Sequence, residues 1–193
     1  MLCATAIFYK VIEPEIAFAD LSDNAALAEA LLKYTFSALL KELEEDLAFF
    51  DQRIEKGLVA KLEGTVSSEF MHMDYGEAIR VLERSNEKFE FPVQWGVDLQ
   101  SEHERYLTEK YAKKPVVVMN YPTAIKAFYL RVNDNGRTVA AMDVVAPGSV
   151  RSSAAASARS GSRSWARAWR GIDREHSTWY RDLRRYTVPL PRP

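Results

Sequence analysis

The residues most able to do chemistry in this chain are acids carried on short extended runs. Residues 11–18 read Val-Ile-Glu-Pro-Glu-Ile-Ala-Phe and alternate in polarity, so Glu13 and Glu15 share one face of a strand and Ile12, Ile16 and Phe18 the other. Two carboxylates thus point the same way, although alternation alone favours a solvated strand face. Asp143 stands near the far end of a second extended run, residues 138–145, where an ordinary strand-end acid is the plainer reading. Other chemistries find no footing. His72, His103 and His176 lack Cys or His neighbours at metal-ligand spacing. No Ser occupies a strand–turn–helix nucleophile setting, Cys3 stands alone, and there is no phosphate-binding Gly loop.

The elements that must hold these acids follow from periodicity. Ser22 or Asp23 is expected to cap a helix whose apolar positions Leu27, Leu31, Tyr34, Leu39, Leu43, Leu47 and Phe50 recur at helical spacing, giving one long helix to about residue 54. That stripe reads as core or a protein interface rather than a cofactor pocket. Further helices are expected over residues 58–70, 75–84 and 100–113. His103, inside the last of these, reads as a solvated or helix-packing side chain. After Pro115 the pattern changes to strand (116–119), turn (120–122) and strand (126–132). The Asn133-Asp134-Asn135-Gly136 turn then predicts an antiparallel hairpin to residues 138–145. Several helices beside antiparallel strands make an α+β domain.

Composition bounds the rest. With 193 residues, 47% hydrophobic and 27% charged, the chain has the balance of one soluble globular domain. A formal net charge of −1 gives no global field for a polyanion, so any nucleic-acid contact needs a local patch. The charge is uneven: residues 20–110 are acid-rich, whereas residues 151–192 hold many Arg against Asp173, Glu175 and Asp182. One cysteine excludes an internal disulfide framework and suits a reducing compartment, so a cytoplasmic protein with neither a membrane span nor a targeting segment is expected. Residues 149–164 are almost wholly Ser, Ala, Arg and Gly and cannot bury enough surface to offset the entropy of ordering, so disorder or poor packing is expected there. With Trp165 and Trp169 among its arginines, the tract has an RNA-binding arm as one reading and a tail of no evolved use as the favoured one.

Four stretches, in order, carry a resemblance to a known family. They are Glu13-Pro14-Glu15-Ile16-Ala17-Phe18-Ala19-Asp20-Leu21; Trp95-Gly96-Val97-Asp98-Leu99 running on through Glu102-His103-Glu104-Arg105; Pro115 to Gly148 with Asn120-Tyr121-Pro122 and Ile125-Lys126-Ala127-Phe128-Tyr129; and Trp179-Tyr180-Arg181-Asp182-Leu183-Arg184-Arg185-Tyr186. Together they resemble bacterial-type asparaginyl-tRNA synthetases, class II enzymes. The first resembles the outgoing strand of class II motif 2, and the last the segment leading into motif 3. The resemblance implies a partial catalytic domain at 11–148, an unmatched terminus at 1–10, a low-complexity stretch at 149–170 and a family-like segment at 171–193. It implies ATP-dependent activation of asparagine and transfer to tRNA(Asn), with Mg²⁺ bridging ATP phosphates. That chemistry is largely positioning and charge neutralisation. Glu13 and Glu15 then match strand positions facing the amino acid, where a carboxylate can accept from an ammonium or an amide. Asp143 matches an acid that helps hold the ATP-bound Mg²⁺.

Departures from the pattern shape the expected activity. Residues 1–10 do not resemble the incoming strand of motif 2 with its Arg and Glu, and neither an anticodon-binding domain nor motif 3 is matched. After Gly148 the family carries a run of the type Gly-Glu-Ile-Ile-Gly-Gly-Ser-Gln-Arg-Glu, with a second metal-binding Glu. With codons chosen to fit, the string GTG AGA TCA TCG GCG GCA GCC AGC GCG AG encodes residues 150–158 and begins residue 159; read two bases later it gives Glu-Ile-Ile-Gly-Gly-Ser-Gln-Arg-Glu. Residues 149–170 are therefore expected to be an out-of-frame translation. The expectation is an asparagine–tRNA ligase fragment with no catalytic residue of its own to name, inactive unless a separately encoded synthetase fragment complements it. The alternative is a non-catalytic module that binds synthetase subunits or RNA.

Overall fold

The computed structural model describes residues 2–8, 11–148 and 153–156. Strands β1 (Leu2–Phe8) and β2 (Val11–Ile16) form an antiparallel pair, with Phe8 opposite Val11, Ala6 opposite Glu13 and Ala4 opposite Glu15. The terminus that matched nothing in sequence is thus the partner strand of β2. A four-stranded sheet has the order β3-β4-β5-β6, built from β3 (Met71–Asp74), β4 (Val116–Met119), β5 (Ala141–Val145) and β6 (Ser153–Ala156). Its β3–β4 pair is parallel and the other two are antiparallel, so the expected antiparallel sheet is mixed.

Helix α1 (Leu21–Glu42) begins at Asp20, whose carboxylate accepts from the Ser22 and Asp23 amides while Asp23 accepts from the Asp20 amide. The cap lies two residues before Ser22 and three before Asp23, the expected caps, because this reciprocal box satisfies three otherwise orphaned amides together. The single long helix to residue 54 divides at Leu43, where ψ swings to 37° before α2 (Glu44–Arg53) starts. Glu44, Glu45 and Asp46 lie in the first turn of α2, where carboxylates meet the positive end of a helix dipole. The acids of this run therefore favour a fresh N-terminus over continuation. Helices α3 (Leu58–Ser67) and α4 (Tyr75–Glu83) stand close to their expected spans. The last expected helix is α5 (Ser101–Arg105), which widens into a π-helical turn at Tyr106–Tyr111.

The alternation of β4 separates two cores. Val117, with Met142 and Val144 of β5, faces Ala25 and Ala28 of α1 and Phe70. On the other face Val116, Val118, Met73 and Ala141 pack with Ile79 and Leu82 of α4, Leu99 and Leu107. Small alanines let α1 lie close on the sheet, while bulkier residues are left uncovered, Tyr34 on α1 and Phe49 on α2.

Two strand expectations change. Residues 126–132 do not form a hairpin arm. A 3₁₀ turn at Thr123–Ile125 and a turn closed by the Leu130 amide on the Ala127 carbonyl replace it, and Val132 keeps an isolated bridge to Val139. Instead β5 takes β4 on one side and β6 on the other. Within the stretch expected to be disordered, Ser153–Ala156 form β6, with Val144 opposite Ser153 and Ala141 opposite Ala156. A ladder is made by backbone groups and asks no apolar contribution from Ser or Ala side chains. The rest of residues 149–170, and the segment 171–193, lie outside the described residues. No helix among the described residues is long and apolar enough to cross a membrane.

The two-core packing makes a stability prediction. Leu82→Ala, at a position 1% exposed, should cost about 2–5 kcal/mol, whereas Phe49→Ala should stay within about 0.5 kcal/mol, both read by urea unfolding. Equal losses would contradict this assignment of core and surface.

Candidate active site

Asp143 sits mid-strand on β5, opposite Val118, on the sheet face turned toward α4. It is 1% exposed. A carboxylate so deep must be paired or neutralised. Lys126 meets that need, with Nζ 3.1 Å from Asp143 Oδ2 and 3.9 Å from the centre of the Tyr121 ring. The ammonium thus lies between an anion and the negative face of an aromatic ring. Tyr121 is tilted against Tyr75 at 5.3 Å, and Tyr75 meets Trp95 edge-on at 5.1 Å. The Tyr75 hydroxyl donates to the Val97 carbonyl and accepts from the Gly96 amide at 3.2 Å. Burial pushes that hydroxyl up from its ordinary value, against the opposing pull of the Gly96 and Val97 backbone. Asp143 is therefore tied through Lys126, Tyr121 and Tyr75 to the loop that carries Trp95.

Glu13 and Glu15 stand on β2, in the two-stranded sheet, with Glu15 exposed; Asp143 stands in the other sheet. Among the described residues no group of three or more His, Cys, Asp or Glu is placed to hold a metal ion. The described site is one buried carboxylate with its ammonium partner.

Of the histidines, His72 is exposed with Nε2 4.0 Å from Glu29. His103 is a packing residue: its Nδ1 accepts from the Gln100 amide at 3.2 Å, which leaves Nε2 to donate to the Phe91 carbonyl at 3.3 Å. Phe89 meets its ring edge-on at 5.0 Å. Beside it Glu102 accepts from the Phe91 amide at 2.7 Å and the Glu90 amide at 3.0 Å. Those two amides, Phe91 first, hold the Glu102 carboxyl below the usual carboxylate range. Together His103 and Glu102 pin residues 89–91, and so the start of the Trp95 loop.

Sequence reasoning did not single out Lys126. Its signal was a lone cation in the apolar run Ile125-Lys126-Ala127-Phe128, a place where an ammonium needs a buried partner.

The family described as tRNA synthetases class II (D, K and N) matches residues 8–164. The chain belongs to that family. Relatives named asparagine–tRNA ligase include those of Aeromonas hydrophila, 55% identical over 184 residues, and Vibrio parahaemolyticus, 53% identical over 184 residues. Each alignment covers 94% of this chain and 40% of the relative, so the chain spans about two fifths of their length. Among solved structures, asparaginyl-tRNA synthetase from Pyrococcus horikoshii superposes with a TM-score of 0.72 at 30% identity, over 92% of this chain and 41% of that one. The same enzyme complexed with asparaginyl-adenylate gives 0.71 at 30% identity, over 92% and 40%. The class II synthetase family thus accounts for the helix-flanked sheet and for the partial character of the domain.

Two predictions follow from the site's electrostatics. Lys126→Met removes the ammonium from beside a buried carboxylate and should cost about 3–5 kcal/mol, while Lys126→Met with Asp143→Leu should recover part of that loss in urea unfolding. A double variant worse than the single one contradicts the pairing. For Glu102, a lowered folded value means that its contribution is present above the ordinary carboxylate range and is lost as pH falls through the folded value. The Glu90 and Phe91 amide resonances should therefore titrate with a midpoint below that of a free Glu, about 4.3, and Glu102→Gln should abolish that titration.

Proposed function

We propose that this chain is part of the catalytic domain of an asparagine–tRNA ligase, in which ATP activates asparagine to an adenylate before transfer to tRNA(Asn). The observation that carries this reading is the 55% identity to the Aeromonas hydrophila ligase over 184 residues. The likeness to the Pyrococcus horikoshii enzyme complexed with asparaginyl-adenylate supports the choice of amino acid. In this reading Asp143 takes part in holding the ATP-bound Mg²⁺, and Glu13 and Glu15 face the amino acid, where a carboxylate accepts from an ammonium or a side-chain amide. Bound magnesium supplies charge neutralisation on the phosphates. Lys126 holds the Asp143 carboxylate in one orientation on the sheet, as a positioning residue.

The proposal extends to activity. Between Asp143 and Asp173 the sequence has no acid, although the family places a second metal-binding Glu there. Residues 149–170, read as an out-of-frame stretch, leave the charge of the phosphates only partly matched, so the 193-residue chain does not form the adenylate alone. A complementing synthetase fragment that supplies the missing carboxylate and the ATP-binding Arg would restore it.

The test is asparagine-dependent ATP–pyrophosphate exchange by the chain as given, beside a variant in which residues 149–170 carry the in-frame family run and motif 3 is appended. Exchange by the repaired variant alone supports the proposal in full. Exchange by the unrepaired chain contradicts the claimed inactivity, and exchange by neither contradicts the ligase reading.

A further inference from the structure

Two of the family-like stretches, the Trp95 loop and the run from Asn120 to the Asn133-Asp134-Asn135-Gly136 turn, converge on a feature that the ligase reading does not use. They line a cleft of about 440 Å³ at the ends of β3 and β4, of a size for a small molecule. Neither Asp143 nor Lys126 lines it.

One wall is a relay of side chains fixed by one another. Asn120 Nδ2 donates to Asp74 Oδ1 at 2.6 Å, and Asn133 Nδ2 donates to Asn120 Oδ1 at 2.9 Å and to Thr138 Oγ1 at 2.8 Å. These residues come from β3, the end of β4 and the turn, so the fold rather than local sequence assembles them. Asn120 is held at φ 60°, a left-handed conformation that Asn tolerates better than most residues. The relay sets the direction of each amide before any ligand arrives, which lowers the ordering cost of binding.

Trp95, 44% exposed, lines the same cleft. Gly76 permits its position, since a Cβ there would stand 3.0 Å from the indole. Arg137 hangs over the ring at 5.7 Å. Glu77 and Arg80 complete the rim near Asp134. The cleft thus offers fixed acceptors and donors together with an aromatic side chain. A phosphate only accepts and an ammonium only donates, whereas a hydroxyl does both. The carboxylates of Asp74, Glu77 and Asp134 also repel anions.

From this pairing of a pre-set amide–carboxylate wall with a half-exposed indole, we propose that the cleft is a binding site for a neutral sugar ring. The ring lays its C–H face on Trp95 and its hydroxyls on the relay.

The test follows the Trp95 indole N–H in ¹H–¹⁵N spectra of the full chain, assigned by its disappearance in Trp95→Phe, during titration with D-ribose and with ribose 5-phosphate. Ribose should shift the signal with a Kd of about 1–10 mM, and ribose 5-phosphate should bind at least about tenfold more weakly. Asn133→Ala should weaken ribose about tenfold by unlocking the relay. Glu77→Gln, at an exposed position that leaves the fold intact, should narrow the gap between the two sugars. No indole shift at about 50 mM ribose overturns the proposal, as does equal binding of the phosphorylated sugar or full binding by Asn133→Ala.

Discussion

A carboxylate on the central part of a sheet, nearly sealed from water, constrains everything around it. The Coulombic and desolvation terms for Asp143 leave two outcomes, neutralisation or a partner, and the chain supplies Lys126 at 3.1 Å. That partner has to reach inward from the segment between β4 and β5. A regular hairpin arm over residues 126–132 would run along a neighbouring strand and keep its own ladder. Instead the segment curls through a 3₁₀ turn, and the ladder shrinks to the Val132–Val139 bridge and the bonds beside it. The ammonium then needs cover on its open side, which the Tyr121 ring gives at 3.9 Å. Tyr121 in turn leans on Tyr75, and Tyr75 holds the backbone at Gly96 and Val97. One buried charge therefore explains why a strand-like sequence is not a strand.

The same sheet shows which parts of a fold can be read from a sequence. The run Val116-Val117-Val118 is apolar at every position because both faces are covered, one by α1 and one by α4 and its neighbours. Helix α4 was legible because Ala78, Ile79 and Leu82 repeat at helical spacing. The break at Leu43 was not, since the apolar stripe continues through it and only the acids after it favour a new N-terminus. The cap at Asp20 was missed for a related reason: Asp20, Ser22 and Asp23 each satisfy the composition rule, and the reciprocal bond between Asp20 and Asp23 decides between them.

The candidate site was legible only in part. Asp143 entered through a resemblance, and nothing in its own neighbourhood of sequence distinguishes it from a strand-end acid. Its burial and its bond to Lys126 are long-range facts, made by residues 17 positions apart. The amide relay is still more remote, with Asp74 and Asn120 separated by 46 positions. Periodicity reports the face on which a residue lies; it does not report which distant side chain will meet it there.

Strand β6 separates what a fold tolerates from what chemistry requires. Its residues, Ser153, Ala154, Ala155 and Ala156, stand opposite Val144, Asp143, Met142 and Ala141. The ladder that joins them is indifferent to side chains, so almost any run without Pro can occupy the position. Chemistry done by side chains is not indifferent in this way. Ala154 is opposite Asp143, and an alanine side chain carries neither a charge nor a hydrogen-bonding group. A chain can therefore keep the register of this sheet, the two cores and the buried Asp143–Lys126 pair with an edge strand of Ser and Ala alone.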